Sequence, residues 1–163
     1  MGLTRTRDTS KWRKEAMEEK LILESRSEAD TFALGVKIGS EAKPGEVYSI
    51  IGDLGAGKTA LTKGVAAGLG IDEPVSSPTF TIVQVYEGGR LPLYHFDVYR
   101  IGDVEEMEEI GYEDYLYSGG VTLIEWADLI RDILPPEYQE IRLEKDLNKG
   151  ADYRRITRTT VYQ

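Results

Sequence analysis

The stretch Gly52-Asp53-Leu54-Gly55-Ala56-Gly57-Lys58-Thr59 reads G-x-x-x-x-G-K-T, and its flanks decide what that pattern means. Ahead of it stands Val47-Tyr48-Ser49-Ile50-Ile51, an apolar run of strand length. Behind it Leu61, Val65 and Leu69 recur at helical spacing until Gly70. A strand, a glycine loop and a helix in this order are the context in which the pattern marks a phosphate-binding loop. The glycines let the backbone curl so that its N–H groups face phosphate oxygens, and the helix N-terminus adds its dipole. The expected cradle is Asp53, Leu54, Gly55, Ala56, Gly57, Lys58 and Thr59, with Lys58 reaching the β- and γ-phosphates and the Thr59 hydroxyl ligating Mg²⁺.

The rest of the chain alternates strand-like and helix-like segments, which predicts an α/β fold of the P-loop NTPase kind: three layers, α/β/α, around a mixed sheet that carries β-hairpins. Residues 1–20 are polar and of mixed charge and are expected to form an N-terminal extension, disordered or briefly helical, before a single domain over 21–163. Leu21–Glu24 is a short strand candidate, and Ser27-Glu28-Ala29-Asp30 is a capping box opening the first helix. Thr79–Tyr86 and Leu91–Tyr99 predict a hairpin across Glu87–Arg90, with Leu93, His95 and Asp97 on one face of its second strand. Asp103–Glu106 reads as a second capping box, on an acidic stretch that is either a solvated helix face or a docking surface. A terminal hairpin turns at Asn148-Lys149-Gly150.

Composition narrows the chemistry. With no cysteine and one histidine, His95, thiolate and His-rich metal sites are excluded, so any metal is a hard cation held by oxygen. No apolar run is long enough for a membrane span and no signal-peptide core is present, so a cytoplasmic protein with no membrane role is expected. A formal net charge of −9 argues against a chain that grips DNA or RNA alone. Arg142, Lys145, Lys149, Arg154, Arg155 and Arg158 are either a local basic patch or a solvated strand face.

A P-loop enzyme also needs acids at the ends of strands beside the loop. Glu125 closes the apolar run Val121–Ile124, and Asp97 ends the second hairpin strand; Glu125 is assigned to Mg²⁺ and Asp97 to orienting the attacking water. Ser76, Ser77 and Thr79, framed by Pro74 and Pro78, have the make-up of a switch segment. Trp126 stacks on a base, on a partner residue or in the core. His95 reads as a hydrogen-bonded structural residue. Asn148-Lys149-Gly150-Ala151-Asp152 is one residue too long for a guanine-reading motif, which favours ATP over GTP. The rival reading is a small-molecule phosphotransferase, but only Arg100 and Arg131 stand near the expected site and no basic lid is evident.

Taken together, GDLGAGKTAL, VSSPTFTIVQVYEG, RLPLYHFDVYR, GYEDYL and VTLIEWAD resemble the TsaE (YjeE) family of small bacterial P-loop ATPases over about residues 21–160. The resemblance implies a Mg²⁺-dependent ATPase that assists TsaB and TsaD type proteins in making threonylcarbamoyladenosine in ANN-decoding tRNAs, touching tRNA only through the complex. It implies phosphate and Mg²⁺ binding by Gly55, Gly57, Lys58 and Thr59, a Mg²⁺ ligand in Glu125, a hydrolytic role for Asp97 and a switch hydroxyl in Thr79. It also implies that Ser27, Glu28 and the turn near Gly150 border the base.

Overall fold

An apolar run with no alternation is buried on both faces, and Val47–Gly52 (β2) accordingly lies in the middle of the sheet, parallel to strands on both sides. The computed structural model describes residues 19–53 and 55–163. The expected extension, but for its last two residues, lies outside them, as does Leu54.

The described elements run β1 (Glu19–Ser25), α1 (Glu28–Glu41), β2, α2 (Lys58–Gly68), β3 (Val83–Tyr86), β4 (Leu93–Asp97), α3 (Glu105–Glu109), α4 (Tyr112–Leu116), β5 (Val121–Glu125), a 3₁₀ segment Ala127–Ile133, β6 (Glu137–Lys145), a 3₁₀ turn Leu147–Lys149 and β7 (Arg154–Tyr162). They build a seven-stranded sheet in the order β1-β7-β6-β2-β5-β4-β3. Its centre is parallel; β3 on one edge and the β1–β7 ladder on the other are antiparallel. This is the mixed α/β sheet with hairpins that the sequence predicts.

Strand alternation sends side chains to two cores. Ile50, Leu93, Leu123, Ile141 and Leu143 pack beneath α1 and α2 with Leu61, Val65 and Leu69. Tyr94, Phe96, Ile124 and Tyr138 pack on the other face with Met107, Tyr112 and Ile130. On the first face the two helices touch backbone to backbone. A Cβ on Gly35 would lie 2.3 Å from the Leu61 carbonyl oxygen, one on Gly39 2.1 Å from that of Val65, and one on Gly64 2.2 Å from that of Phe32. Only glycine permits this spacing, and it seats the first turn of α1 against the loop that opens α2, with Thr31 Cγ2 3.4 Å from where a Gly57 Cβ would stand.

Several boundaries differ from expectation. The first hairpin strand begins only at Val83, because Thr81 and Ile82 both donate to the Pro78 carbonyl and close a turn in place of a ladder. The second strand is trimmed to Leu93–Asp97. The helix after Asp103 starts at Glu105, with the Asp103 carboxylate accepting from the Glu105 N–H, so the capping box is incomplete. The segment before Pro135 is 3₁₀, broken at Ile130. Most of the basic residues of the C-terminal hairpin have partners within the chain. Arg142 pairs with Glu140 and Arg155 with Asp146, while Lys149 lies over Tyr153, Arg158 over Tyr48, and Arg154 turns inward. Among the described residues no helix is long and apolar enough to cross a membrane.

Candidate functional site

The glycine loop emerges from the C-terminal end of β2, where Gly55 and Gly57 take φ of +79° and +107°, a region that side chains disfavour. The Ala56 N–H bonds the Asp53 carbonyl, and the first helical bond of α2 runs from the Leu61 N–H to Gly57. The amides of Lys58, Thr59 and Ala60 therefore remain at an open helix terminus, the arrangement that receives anions.

Parallel register brings the acids to the same edge. Ile50 of β2 pairs with Glu125 of β5, and Glu125 pairs with Asp97 of β4, so both carboxylates stand side by side above the sheet. Lys58 Nζ lies 3.7 Å from Glu125 Oε1 and 5.3 Å from the centre of the Trp126 ring. His95 Nε2 meets Glu125 Oε2 at 2.9 Å. Burial opposes ionisation of the Glu125 carboxyl, but the hydrogen bond and charge of His95, joined by the Lys58 ammonium, outweigh it and hold the group below the usual carboxylate range. His95 is hydrogen-bonded, as expected, and it engages one Glu125 oxygen while the other faces Lys58.

Asp97 is buried; its Oδ1 accepts from the Tyr99 N–H at 3.0 Å, and Oδ2 faces the Thr79 hydroxyl at 3.5 Å, a long contact. Thr79 and Ser77 hydroxyls lie 2.6 Å apart, and Ser76 is anchored by Tyr86, whose hydroxyl accepts from the Ser76 N–H and donates to its carbonyl. Two non-glycine residues flank this region at positive φ, Ile82 at +70° and Trp126 at +65°. For a β-branched side chain such as Ile82 that conformation is strained. Trp126 is not core: it is 41% exposed and tilts against Tyr99 with ring centres 4.7 Å apart. Arg100 lies over Phe80, and Arg131 lines a neighbouring cavity beside β6, so neither guards this cleft.

Together these groups line a cleft of about 570 Å³. Of the expected residues, Ser27, Glu28, Gly55, Ala56, Gly57, Lys58, Thr59, Thr79, Asp97, Glu125 and Trp126 border it. Ser27 does so as the N-cap of α1, accepting from the Asp30 N–H while the Asp30 carboxylate returns to the Arg26 N–H. Asp53 faces the neighbouring cavity, and from the terminal turn Asp152 and Arg154 reach the cleft where Gly150 was expected. Arg154 and the His95–Glu125 bond escaped sequence reading. For that bond, the alternation putting His95 and Asp97 on one face was the only signal.

Against known proteins, the family model of TsaE, "Threonylcarbamoyl adenosine biosynthesis protein TsaE", matches residues 25–156. The tRNA threonylcarbamoyladenosine biosynthesis protein TsaE of Bacillus subtilis (strain 168) is 49% identical over 132 residues, 81% of this chain and 80% of the relative. The TsaE of Treponema pallidum (strain Nichols) is 46% identical over 111 residues, 68% of this chain and 82% of that protein. The crystal structure of Bacillus subtilis YdiB superposes with a TM-score of 0.75 at 41% identity, covering 89% of this chain and 88% of that one. The family model, the identity over most of the chain and the shared fold agree, and the protein belongs to the TsaE family.

Proposed function

We propose that the cleft binds ATP with Mg²⁺ and hydrolyses it, and that the protein is the ATPase subunit required for threonylcarbamoyladenosine modification of ANN-decoding tRNAs in the cytoplasm. It would act beside TsaB and TsaD type proteins and meet tRNA only through them. The observation that carries this reading is the alignment of Lys58, Glu125 and Asp97 at one sheet edge, in the same cleft as the N-terminus of α2. The names of the relatives point to the same modification.

The donor set suits the metal. Among the described residues no three or more His, Cys, Asp or Glu side chains gather into a cage, whereas Mg²⁺ is held by one or two protein oxygens plus phosphate and water. The Thr59 hydroxyl and Glu125 would hold it, and the ion neutralises charge on the β- and γ-oxygens when bound. Lys58, now paired with Glu125, turns its ammonium to the phosphates. Asp97, fixed by the Tyr99 N–H, orients water through Oδ2, and the Thr79 hydroxyl closes on the γ-phosphate side. Ser27, Glu28 and Asp152 face the base end, and Trp126 walls the phosphate end.

Phosphate release measured with the purified partner proteins tests the reading. Lys58→Ala is expected to abolish stimulated turnover and, in the full assembly, tRNA modification; an unchanged rate in that variant refutes it.

A further inference from the structure

Arg154, the first residue of β7, stands between Ser25 of β1 and Lys145 of β6 in the ladder. Its side chain leaves the sheet for the glycine loop. Nε donates to the Ala56 carbonyl at 3.0 Å and Nη2 to the Gly55 carbonyl at 3.0 Å. Nη1 donates to the Ala151 carbonyl at 2.8 Å and to that of Tyr153 at 2.7 Å. Four of the five N–H groups of the guanidinium are thereby bound to backbone carbonyls.

We propose that Arg154 is a positioning residue of the nucleotide site, a clamp that holds two successive peptide planes of the glycine loop and so sets the orientation of the Gly57 N–H before nucleotide arrives. A trans peptide points its N–H opposite to its carbonyl. With the Ala56 carbonyl held by Nε, the Gly57 N–H faces away from the arginine; the preceding plane is tied at both ends, its Gly55 carbonyl to Nη2 and its Ala56 N–H to the Asp53 carbonyl. The loop needs this restraint. Gly55 and Gly57 both sit at positive φ and have wide conformational freedom, and no side chain caps the start of α2. A loop left to order itself on binding loses affinity by the entropy of that ordering. The planar fork explains why arginine occupies the position: a lysine ammonium cannot span two carbonyls in one plane while holding a third and fourth behind it. The same count separates Arg154 from a charge-supplying finger, since its donors are spent on the backbone.

This inference rests on the nucleotide-binding reading, so the test has an arm that needs no nucleotide. Amide exchange of the loop is followed by mass spectrometry in the nucleotide-free wild type, R154K and R154Q, with R155Q as the neighbouring control. Dissociation of a fluorescent ATP analogue and partner-stimulated kcat and KM are then measured on the same proteins. The clamp predicts faster loop exchange in both Arg154 variants and an affinity about tenfold to a hundredfold weaker, the range for losing hydrogen bonds to a charged group. It predicts kcat at saturating ATP within about threefold of wild type, because a restraint present before binding acts on ground state and transition state alike. Arg155, paired with Asp146, should change nothing. Loop exchange unaltered in R154K overturns the proposal, as does a large fall in kcat at unchanged affinity or rescue by lysine. If R154Q does not fold, R154K, which keeps the stem and the charge, decides. If the wild type fails to bind ATP while exchange still accelerates in R154K, the functional reading falls and the clamp stands.

Discussion

Substituting Gly64 by alanine tests how far the stability of the fold depends on the closeness of two helices. The new Cβ would lie 2.2 Å from the Phe32 carbonyl oxygen, 2.9 Å from Gly35 Cα and 3.0 Å from the Val36 nitrogen, all backbone atoms that no rotamer change can move. Taking 3.0 Å as the closest approach a real Cβ makes, the helices must part by about 0.8 Å, the difference from 2.2 Å. A gap of that size forfeits about a quarter to a half of the dispersion well for the atoms facing it. Gly35, Gly39 and Gly68 interlock in the same way, so the separation spreads along the whole contact. Overpacking of this kind costs about 3 kcal/mol at the upper end of its usual range. The better helix propensity of alanine returns about 1 kcal/mol, since α2 is helical at this position. The net expectation is a loss of about 2 kcal/mol, a fall in Tm of about 4–8 °C for a chain of this size. Urea unfolding should show a lower midpoint at unchanged slope. An alanine variant as stable as wild type, or more stable, would mean that this spacing is soft and that the glycines do not set it.

Under the proposed function, Asp97→Asn should leave nucleotide affinity within a few-fold of wild type and cut hydrolysis on the order of 10²-fold, because the amide keeps the size but loses the charge proposed to orient water. Equal loss of binding and turnover refutes that division between Asp97 and Glu125. Glu125→Gln is expected to flatten the acid limb of stability. Its folded carboxyl is held below the ordinary range, so the contribution is complete above the unfolded glutamate value, about 4.3, and disappears as pH falls through the lower folded value. Urea midpoints taken from neutral pH into acid should therefore converge for wild type and variant, and a constant difference refutes the pairing.

What the sequence made legible follows from the range of the forces involved. The glycine loop, its flanking strand and helix, and the Ser27–Asp30 box are local, settled within a turn or two of chain. Glu125 and Asp97 were readable as strand ends, but their adjacency depends on β4 and β5 lying in parallel register, a tertiary fact. Thr79–Ile82 carries strand-forming residues and still turns, since the Pro78 carbonyl captures two following amides. Arg154 was hidden for the opposite reason. In sequence it is one of several cations on a terminal hairpin, and only the sheet order places β7 where its guanidinium reaches a loop 98 residues away.

The cleft therefore has two halves of unequal stiffness. Lys58, Glu125 and Asp97 sit at the ends of a helix and two central parallel strands, and His95, itself on β4, locks Glu125 from below. The other wall, Val75 to Ile82, contains no strand among the described elements. It is held by Tyr86 at Ser76 and by the turn on Pro78, and it meets the rigid half at two points, the 3.5 Å contact between Thr79 and Asp97 and, at its Ile82 end, a 2.8 Å backbone bond from Asp97. Ile82, strained at φ +70°, joins this wall to β3 and accepts the Asp97 N–H at its carbonyl. A contact at the limit of hydrogen bonding costs little to break, and a strained residue gains by relaxing. Movement on γ-phosphate binding or loss should therefore fall on this wall and pivot near Ile82. Ile82→Gly, which removes the steric penalty of the left-handed conformation, is expected to leave ATP affinity nearly unchanged while altering how strongly the partner proteins stimulate turnover; a variant changed in affinity but not in stimulation would place the pivot elsewhere.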